Sequence, residues 1–373
     1  MELRLEVYDS SLNLLGMLEI CKSVVWEAQA FGAGSFQLES ILTDETRELL
    51  REDNIIWIAG EDHGIIEHIA MEAGEDGINN ITVKGRLLSS ILDRRVLWGT
   101  YKITSGRPGA VMANFVNTSC VEVSRGTAAL RKIPGLVIGS VDTSGSSIRC
   151  NRTGGTVLEA VSGIGEAYQV AYGIDFNHTS GQMEFWARKG VNRTINQSAV
   201  EAVFFSTELD DVIASEYAYD GADFRNVAYV GGQIDDETDT RQYVTIEGTA
   251  AGLARRELFV DARDCSKVNE DQTVMSDSEY AQVLQQRGQS KLGEHPRSES
   301  FEVTCKTRDT TYEYGVDFFL GDTITITDER LGLTVDAIVT AVQRSMTRDG
   351  ETLTFTFGYS APTVYDKLRK AVG

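Results

Sequence analysis

The sequence is poor in basic residues, proline and cysteine, and it has no long apolar run. Its 35 Lys and Arg stand against 56 Asp and Glu, a formal net charge of −21. Gripping a nucleic-acid backbone requires the opposite sign, because that binding rests on cations displacing counterions along the phosphates. Holding DNA is thereby excluded, although letting DNA pass nearby is not. The five cysteines, Cys21, Cys120, Cys150, Cys265 and Cys305, are odd in number and form no CxxC pair. Neither a disulfide scaffold nor a zinc site is expected from them. No stretch approaches the roughly 18 apolar residues of a spanning helix. The opening MELRLEVYDS alternates charged and apolar residues where a secretory leader would set a basic patch before an apolar run. Neither membrane insertion nor a removable leader is expected, and the triplet Asn192-Arg193-Thr194 reads as a coincidence of composition.

The 373 residues, 42% hydrophobic and 24% charged, suit two or three folded domains. Four prolines against 35 glycines, with short apolar segments of period two, predict strands joined by glycine-rich turns. The fold class expected is mainly β with minor α. Leu3, Leu5 and Val7 alternate with charges, Asp9-Ser10-Ser11 turns the chain, and Leu12, Leu14 and Leu18 lie on the return. Strands are expected at 24–30, 35–39, 54–58, 64–72 and 78–84, forming an antiparallel, barrel-like sheet whose closure would protect its edges. Helical spacing occurs at Leu87, Leu88, Ile91, Leu92 and Leu97, after Pro108, and over 156–172. Ser276-Asp277-Ser278-Glu279 is a capping-box signature and predicts a helix over 277–292 packed by Tyr280, Val283 and Leu284.

The chain also resembles itself. Residues 53–85 and 322–358 each read as strand, turn, long strand, glycine turn, strand. Asp53 answers Asp322, Gly64 answers Gly332, Gly77 answers Gly350 and Gly85 answers Gly358. The segments before them are compatible, with 23–38 answering 213–217 and 224–230. The domain map expected is a first barrel at 1–100, a mixed α/β middle at 101–199, a second barrel at 200–233 and 301–373, and an insertion at 234–300.

Five stretches, in this order, are similar to the tail-tip or baseplate hub proteins of phages, related to the amino-terminal structural region of tail-associated lysins. They are Leu5-Glu6-Val7-Tyr8-Asp9; Val25-Trp26 with Gly34-Ser35-Phe36-Gln37-Leu38; Gly64-Ile65-Ile66-Glu67; Gly85-Arg86 with Leu92-Asp93-Arg94-Arg95; and Leu320-Gly321-Asp322-Thr323-Ile324. The resemblance implies two similar barrels per subunit and a homotrimer whose six barrels ring the tail channel. It also implies partners: a distal tail or tube protein ring, the tape measure protein, and receptor-binding or fibre proteins. The protein would be made in the host cytoplasm and sit in the virion at the tail tip, with DNA passing through without specific binding. No peptidase or lysozyme region is expected after Tyr365-Asp366-Lys367-Leu368-Arg369-Lys370, so the resemblance is to the hub alone.

Catalytic motifs are missing. His63, Glu67 and His68 form HxxxEH, not a metallopeptidase spacing, and on a strand an odd separation puts the two histidines on opposite faces. Asp210-Asp211 and Asp235-Asp236-Glu237 with Asp239 read as solvated turns, the second without the glycine and distant glutamate of a calcium loop. Gly163-Ile164-Gly165 reads as a bend in a helix. Trp26, Trp57, Trp98 and Trp186 read as core or subunit-contact residues. Arg94-Arg95 could pair with acidic residues of a neighbouring subunit or form an exposed ion pair. No catalytic, cofactor-binding or metal residue is assigned. Glu75, Asp76, Asp328, Glu329 and Asp349 are candidates for the channel mouth or the outer rim. The alternative reading is a carbohydrate-active or peptidoglycan-degrading β-rich tail enzyme whose carboxylates no motif locates.

Overall fold

The computed structural model describes the chain except residues 1, 59–61, 74–78, 124–127, 210–211, 236–238, 269–272, 296–297, 306–310, 349 and 360–373. It divides into two compact units, one built from 1–216 and 301–359, the other from 217–300.

The first unit opens with β1 (Glu2–Tyr8), β2 (Leu14–Ile20), β3 (Ser23–Gln29) and β4 (Ser35–Ile41). The β1–β2 turn is made by Asp9, whose Oδ1 accepts from the backbone N–H groups of Ser11 (2.8 Å) and Asn13 (2.9 Å). Alternation in β3 and β4 buries Val24, Trp26 and Phe36, Leu38, with the rings of Trp26 and Phe36 stacked 4.8 Å apart. A short helix, α1 (Asp44–Leu49), is capped by Thr43 and leads into the meander of β5 (Ile55–Ile58), β6 (Gly64–Ala73) and β7 (Asn79–Leu87). Gly85 is required where β7 crosses β6, because a Cβ there would stand 1.8 Å from the Ile65 carbonyl oxygen. The spacing read as helical after Leu87 is a 3-10 turn over Leu88–Arg94, which buries Leu88, Ile91 and Leu92.

The middle region contributes β8 (Thr100–Gly106), α2 (Pro108–Val116), α3 (Ala128–Arg131), β9 (Leu136–Val141), β10 (Ile148–Thr153), α4 (Val157–Tyr168), β11 (Val170–Asn177) and β12 (Gln182–Lys189). Strand β8 pairs with β10, and β12 lies between β11 and β9. Val111 and Phe115 of α2 pack with Val157, Val161 and Ile164 of α4 and with Phe185. Pro108 takes the first helical position, and Thr156 with Glu159 closes a capping box. The helix expected over 156–172 ends at Tyr168, because Gln169 adopts φ +56° and turns the chain into β11.

Beyond β13 (Phe204–Ser206), strand β14 (Val212–Asp220) leads out of the first unit. The second unit is a sheet of β15 (Val227–Asp235), β16 (Thr240–Ile246) and β17 (Glu257–Asp261), with β15 central, antiparallel to β16 and parallel to β17. One face is covered by α5 (Asp277–Gly293), whose Tyr280, Leu284 and Leu292 pack on Ala228, Val230, Ile246 and Val260. The Ser276 hydroxyl accepts from Glu279 N–H (3.3 Å), and the Glu279 carboxylate accepts from Ser276 N–H (2.9 Å). The chain returns through β18 (Ser298–Cys305), then β19 (Thr323–Asp328), β20 (Leu333–Thr347) and β21 (Gly350–Tyr359).

Thirteen strands form one large sheet, in the order β14-β18-β21-β20-β3-β4-β7-β6-β5-β1-β2, with β19 on β20 and β13 on β19. Two closed barrels are therefore not formed among the described residues. The reason is the ladder between β20 and β3, from Ala341–Gln29 to Met346–Val24, which spends each run's free edge on the other. The second copy's opening hairpin is also not where the sequence placed it. Strands β3 and β4 pair with each other, whereas β14 lies beside β18 and β15 pairs with β16 and β17.

The repeat itself is present in the backbone. In both copies the long central strand is bulged against the strand that follows it, at Glu67 between Ile66 and His68 and at Thr340 between Val339 and Ala341, positions 273 residues apart (340 minus 67). In the first copy Asp53 N–H donates to Ile66 O (2.9 Å) and Ile66 N–H to Asn54 O (2.9 Å). In the second, Gly321 N–H donates to Val339 O (2.8 Å) and Val339 N–H to Asp322 O (2.9 Å). Asp53 and Gly321 both have positive φ, +64° and +86°. The residue answering Asp322 is thus Asn54, and Asp53 answers Gly321.

Replacing Ser276 by Ala should lower stability by about 1 kcal/mol through loss of the α5 cap. Urea unfolding of the full chain followed by far-UV circular dichroism checks it, and a change below a few tenths of that would contradict the cap's role.

Candidate functional site

Charged residues of the stretches that carry the resemblance meet in two ionic nodes. In the first, Arg86 on β7 donates through Nε and Nη2 to the two oxygens of Glu67, both at 2.9 Å, and through Nη1 to Asp93 at 3.0 Å. Glu67 is the bulged residue of β6, so the bulge turns its carboxylate toward the guanidinium. These hydrogen bonds, Glu67 first, raise the Arg86 pKa above its ordinary value. Arg94 pairs with Asp53 at 2.7 Å, and Arg95 Nε donates to the Arg131 carbonyl at 2.6 Å. Of the two readings open for Arg94-Arg95, Arg94 therefore takes the exposed ion pair, within its own chain.

The second node surrounds Asp322, whose side chain is fully buried. Its Oδ1 accepts from Arg188 Nη1 (3.1 Å) and Val191 N–H (2.9 Å), and its Oδ2 from Arg193 Nε (3.0 Å) and Phe319 N–H (3.2 Å). Arg188 also donates to Leu320 O at 2.6 Å and lies over the Phe319 ring. Four donors, two of them cationic, compensate the desolvated carboxylate. Nothing in the spacing of Arg188, Arg193 and Asp322 announced this cluster.

Of the acidic residues expected at a channel mouth or rim, Glu75, Asp76 and Asp349 lie outside the described residues, as do Asp210, Asp211, Asp236 and Glu237. Asp328 is buried and bound by Arg330 (2.7 Å), by Ser215 and by the N–H groups of Arg330 and Leu331. The Arg330 guanidinium is the main cause holding its carboxyl well below the usual carboxylate range. Glu329 is exposed beside Glu208, whose hydrogen bond and charge push its pKa up.

His63 and His68 do not meet. His68 is exposed on β6, while His63 is buried just before it. The His63 ring stacks on Trp57 (5.7 Å) and meets Phe176 (5.3 Å), Tyr8 (6.3 Å) and His178 (5.2 Å). Its Nε2 has no hydrogen-bond partner. Burial first, then the charge of His178, pulls its pKa down to about 3. His178, some hundred residues away in sequence, went unnoticed because only the fold of β11 onto the first meander brings it here. No group of three or more His, Cys, Asp or Glu is arranged to hold a metal among the described residues. Of the tryptophans, Trp26 is in the core and Trp98 is exposed under the Arg131 guanidinium. The recess between Gln29, Asp62, Tyr172 and Trp186 measures about 20 Å³, room for a water molecule rather than a substrate.

Two outcomes follow from these geometries. Asp322→Ala should cost about 3 kcal/mol in urea unfolding, because it leaves two half-buried arginines and two backbone N–H groups without their buried acceptor, while Asp53→Asn, which keeps a residue suited to the left-handed backbone, should stay within about 1 kcal/mol. Equal losses would contradict the distinction. A histidine whose folded pKa lies below 6.5 lets the unfolded chain bind the extra proton. Stability from His63 is therefore complete above about pH 6.5 and declines toward pH 3, by at most about 1.4 kcal/mol per pH unit. Thermal unfolding between pH 7.5 and 4.5 should show a shallower decline for His63→Phe than for the parent chain, and parallel curves would refute this origin.

Residues 4–359 match the family described as Siphovirus ReqiPepy6 Gp37-like protein. A search of curated proteins finds no match. Among solved structures, the fold is similar to the tail protein from Neisseria meningitidis MC58, with 14% identity, TM-score 0.57, and 98% of this chain and 99% of that one covered. It is similar also to the 43 kDa tail protein of prophage MuSo2 from Shewanella oneidensis, with 13% identity, TM-score 0.58, and coverage of 95% and 98%. A chain of the lidded Francisella PdpA-VgrG complex matches at 9% identity and TM-score 0.51, with 97% of this chain and 53% of that chain covered. At such identities the likeness establishes the fold, whereas the family match spans nearly the whole sequence: the chain belongs to the Siphovirus ReqiPepy6 Gp37-like protein family, a family of siphovirus tail proteins.

Proposed function

We propose that this tail protein is a structural hub of the tail tip, a homotrimer whose ring joins the tail tube to the host-recognition apparatus and lets DNA pass. The observation that carries the reading is the duplicated meander, with its bulges at Glu67 and Thr340. A chain holding two equivalent meanders offers, under threefold symmetry, six similar positions around an axis, which is what a junction between threefold and sixfold rings needs. The partners on this reading are the distal tail or tube protein ring, the tape measure protein and receptor-binding or fibre proteins, and the location is the virion tail tip. The charge agrees, since −21 per chain becomes three times that, −63, in a trimer. A passage that retained phosphates would bind DNA with strong salt dependence and slow its exit.

The enzyme reading is not favoured by any observation. A glycosidase needs one carboxyl with a raised pKa as general acid. The two most buried aspartates among the described residues, Asp322 and Asp328, are each paired with arginines, and of the carboxyls whose pKa is raised, Asp175 by burial and Glu329 by Glu208, neither lines the water-sized recess.

Mass photometry of the purified protein mixed with its neighbouring tail ring should find a complex containing three 41.0 kDa chains, 123 kDa of this subunit. A monomer persisting in the presence of that ring would overturn the hub reading. The trimer should not retain duplex DNA even at low salt, where charge is least screened. Tight, salt-sensitive retention would remove the conduit argument.

A further inference from the structure

The face of the second unit's sheet opposite α5 is bare and aromatic. Tyr229, Tyr243 and Phe259 are 43%, 46% and 57% exposed. The two tyrosine rings are parallel within 1° at 4.8 Å, and Phe259 stands 6.2 Å from Tyr229. Arg241 lies against this cluster, 5.6 Å from the Tyr243 ring centre and 5.7 Å from that of Phe259. Its guanidinium is fixed by the carbonyls of Gly231 (2.7 Å) and Gly232 (2.6 Å) and by Asp261 (2.6 Å). Residue 231 has to be glycine for this, because a Cβ there would meet the guanidinium carbon at 2.6 Å. Apolar side chains already fill the opposite face, so nothing in the unit's own folding calls for three large rings on this one.

We propose that this platform binds an uncharged saccharide. Size argues against a protein partner. Three aromatic side chains roughly half exposed offer on the order of 300 Å², well short of the roughly 800 Å² per partner of a stable protein interface. Charge argues against a polyanion. Arg241 and Arg263 both share Asp261, and Arg255 beside the sheet is held by Glu257 and Glu247. The cations here are neutralised, and the chain carries −21 overall. A sugar ring matches what remains, its C–H face lying on the tyrosine and phenylalanine rings and its hydroxyls reaching Arg241 and Asp261. This inference is independent of the hub reading, since it rests on the second unit alone.

Native gel electrophoresis of the full chain through gels containing dextran, mannan or galactan, with dextran sulfate in parallel, tests it. At least one neutral polysaccharide should retard the parent protein, and dextran sulfate should not. Tyr243→Ala should weaken the retardation about tenfold. Tyr229→Leu, which keeps apolar bulk on the strand without a flat ring, should weaken it likewise, while Tyr168→Ala, at an exposed tyrosine of α4, should leave it unchanged. The proposal is overturned if no neutral polysaccharide retards the protein, or if Tyr243→Ala and Tyr229→Leu run as the parent does. It is equally overturned if dextran sulfate binds best, or if these variants lower the oligomeric mass, which would mean that a second copy covers the face.

Discussion

Six backbone pairs between β3 and β20 join the beginning of the chain to its end, and the large sheet exists because of them. Partners such as Trp26 and Arg344, 318 residues apart (344 minus 26), carry a large loop-closure cost before any contact rewards it. That cost is offset by a core continuous across the seam, in which Trp26, Phe36 and Val24 share one apolar cluster with Val342, Met346 and Phe355. The first meander gains a neighbour through this seam rather than by closing on itself.

Local rules were legible in the sequence where the structure obeys local physics. The period-two pattern of β3 and β4 and the capping boxes of α4 and α5 each report a decision made within a few residues. The repeat was visible for the same reason, since its turns recur. Its register differs by one residue at Asp53, because matching Asp53 to Asp322 compares side chains where the quantity shared between the copies is a left-handed backbone, at Asp53 and Gly321, and by five at Gly64, which the bulges align with Ala337 while Gly332 lies in the turn before β20. The failure to form closed barrels, the union of His63 with His178 and the assembly of Arg188 and Arg193 on Asp322 all depend on strand order, which hydrophobic periodicity does not encode.

The hub-like motifs acquire a physical meaning from these contacts. Gly85 permits close crossing, Arg86 and Glu67 fix a bulge, and Asp322 gathers two arginines and two backbone donors. The charged residues among them are engaged with partners in their own chain. They hold neighbouring strands and turns of the first unit in fixed register.

Strands β14 and β18 are neighbours in the large sheet, yet the 84 residues from 217 to 300 intervene between the two stretches of the first unit. To the sheet, that excursion is one connection between neighbouring strands, and its length adds little entropic penalty because loop closure grows only logarithmically. The stretch between the two strands, residues 221–297, could be replaced, or its exposed face reshaped, while the ladders that set the scaffold stay unaltered, so that divergence and conservation would segregate along the same polypeptide at two fixed joints.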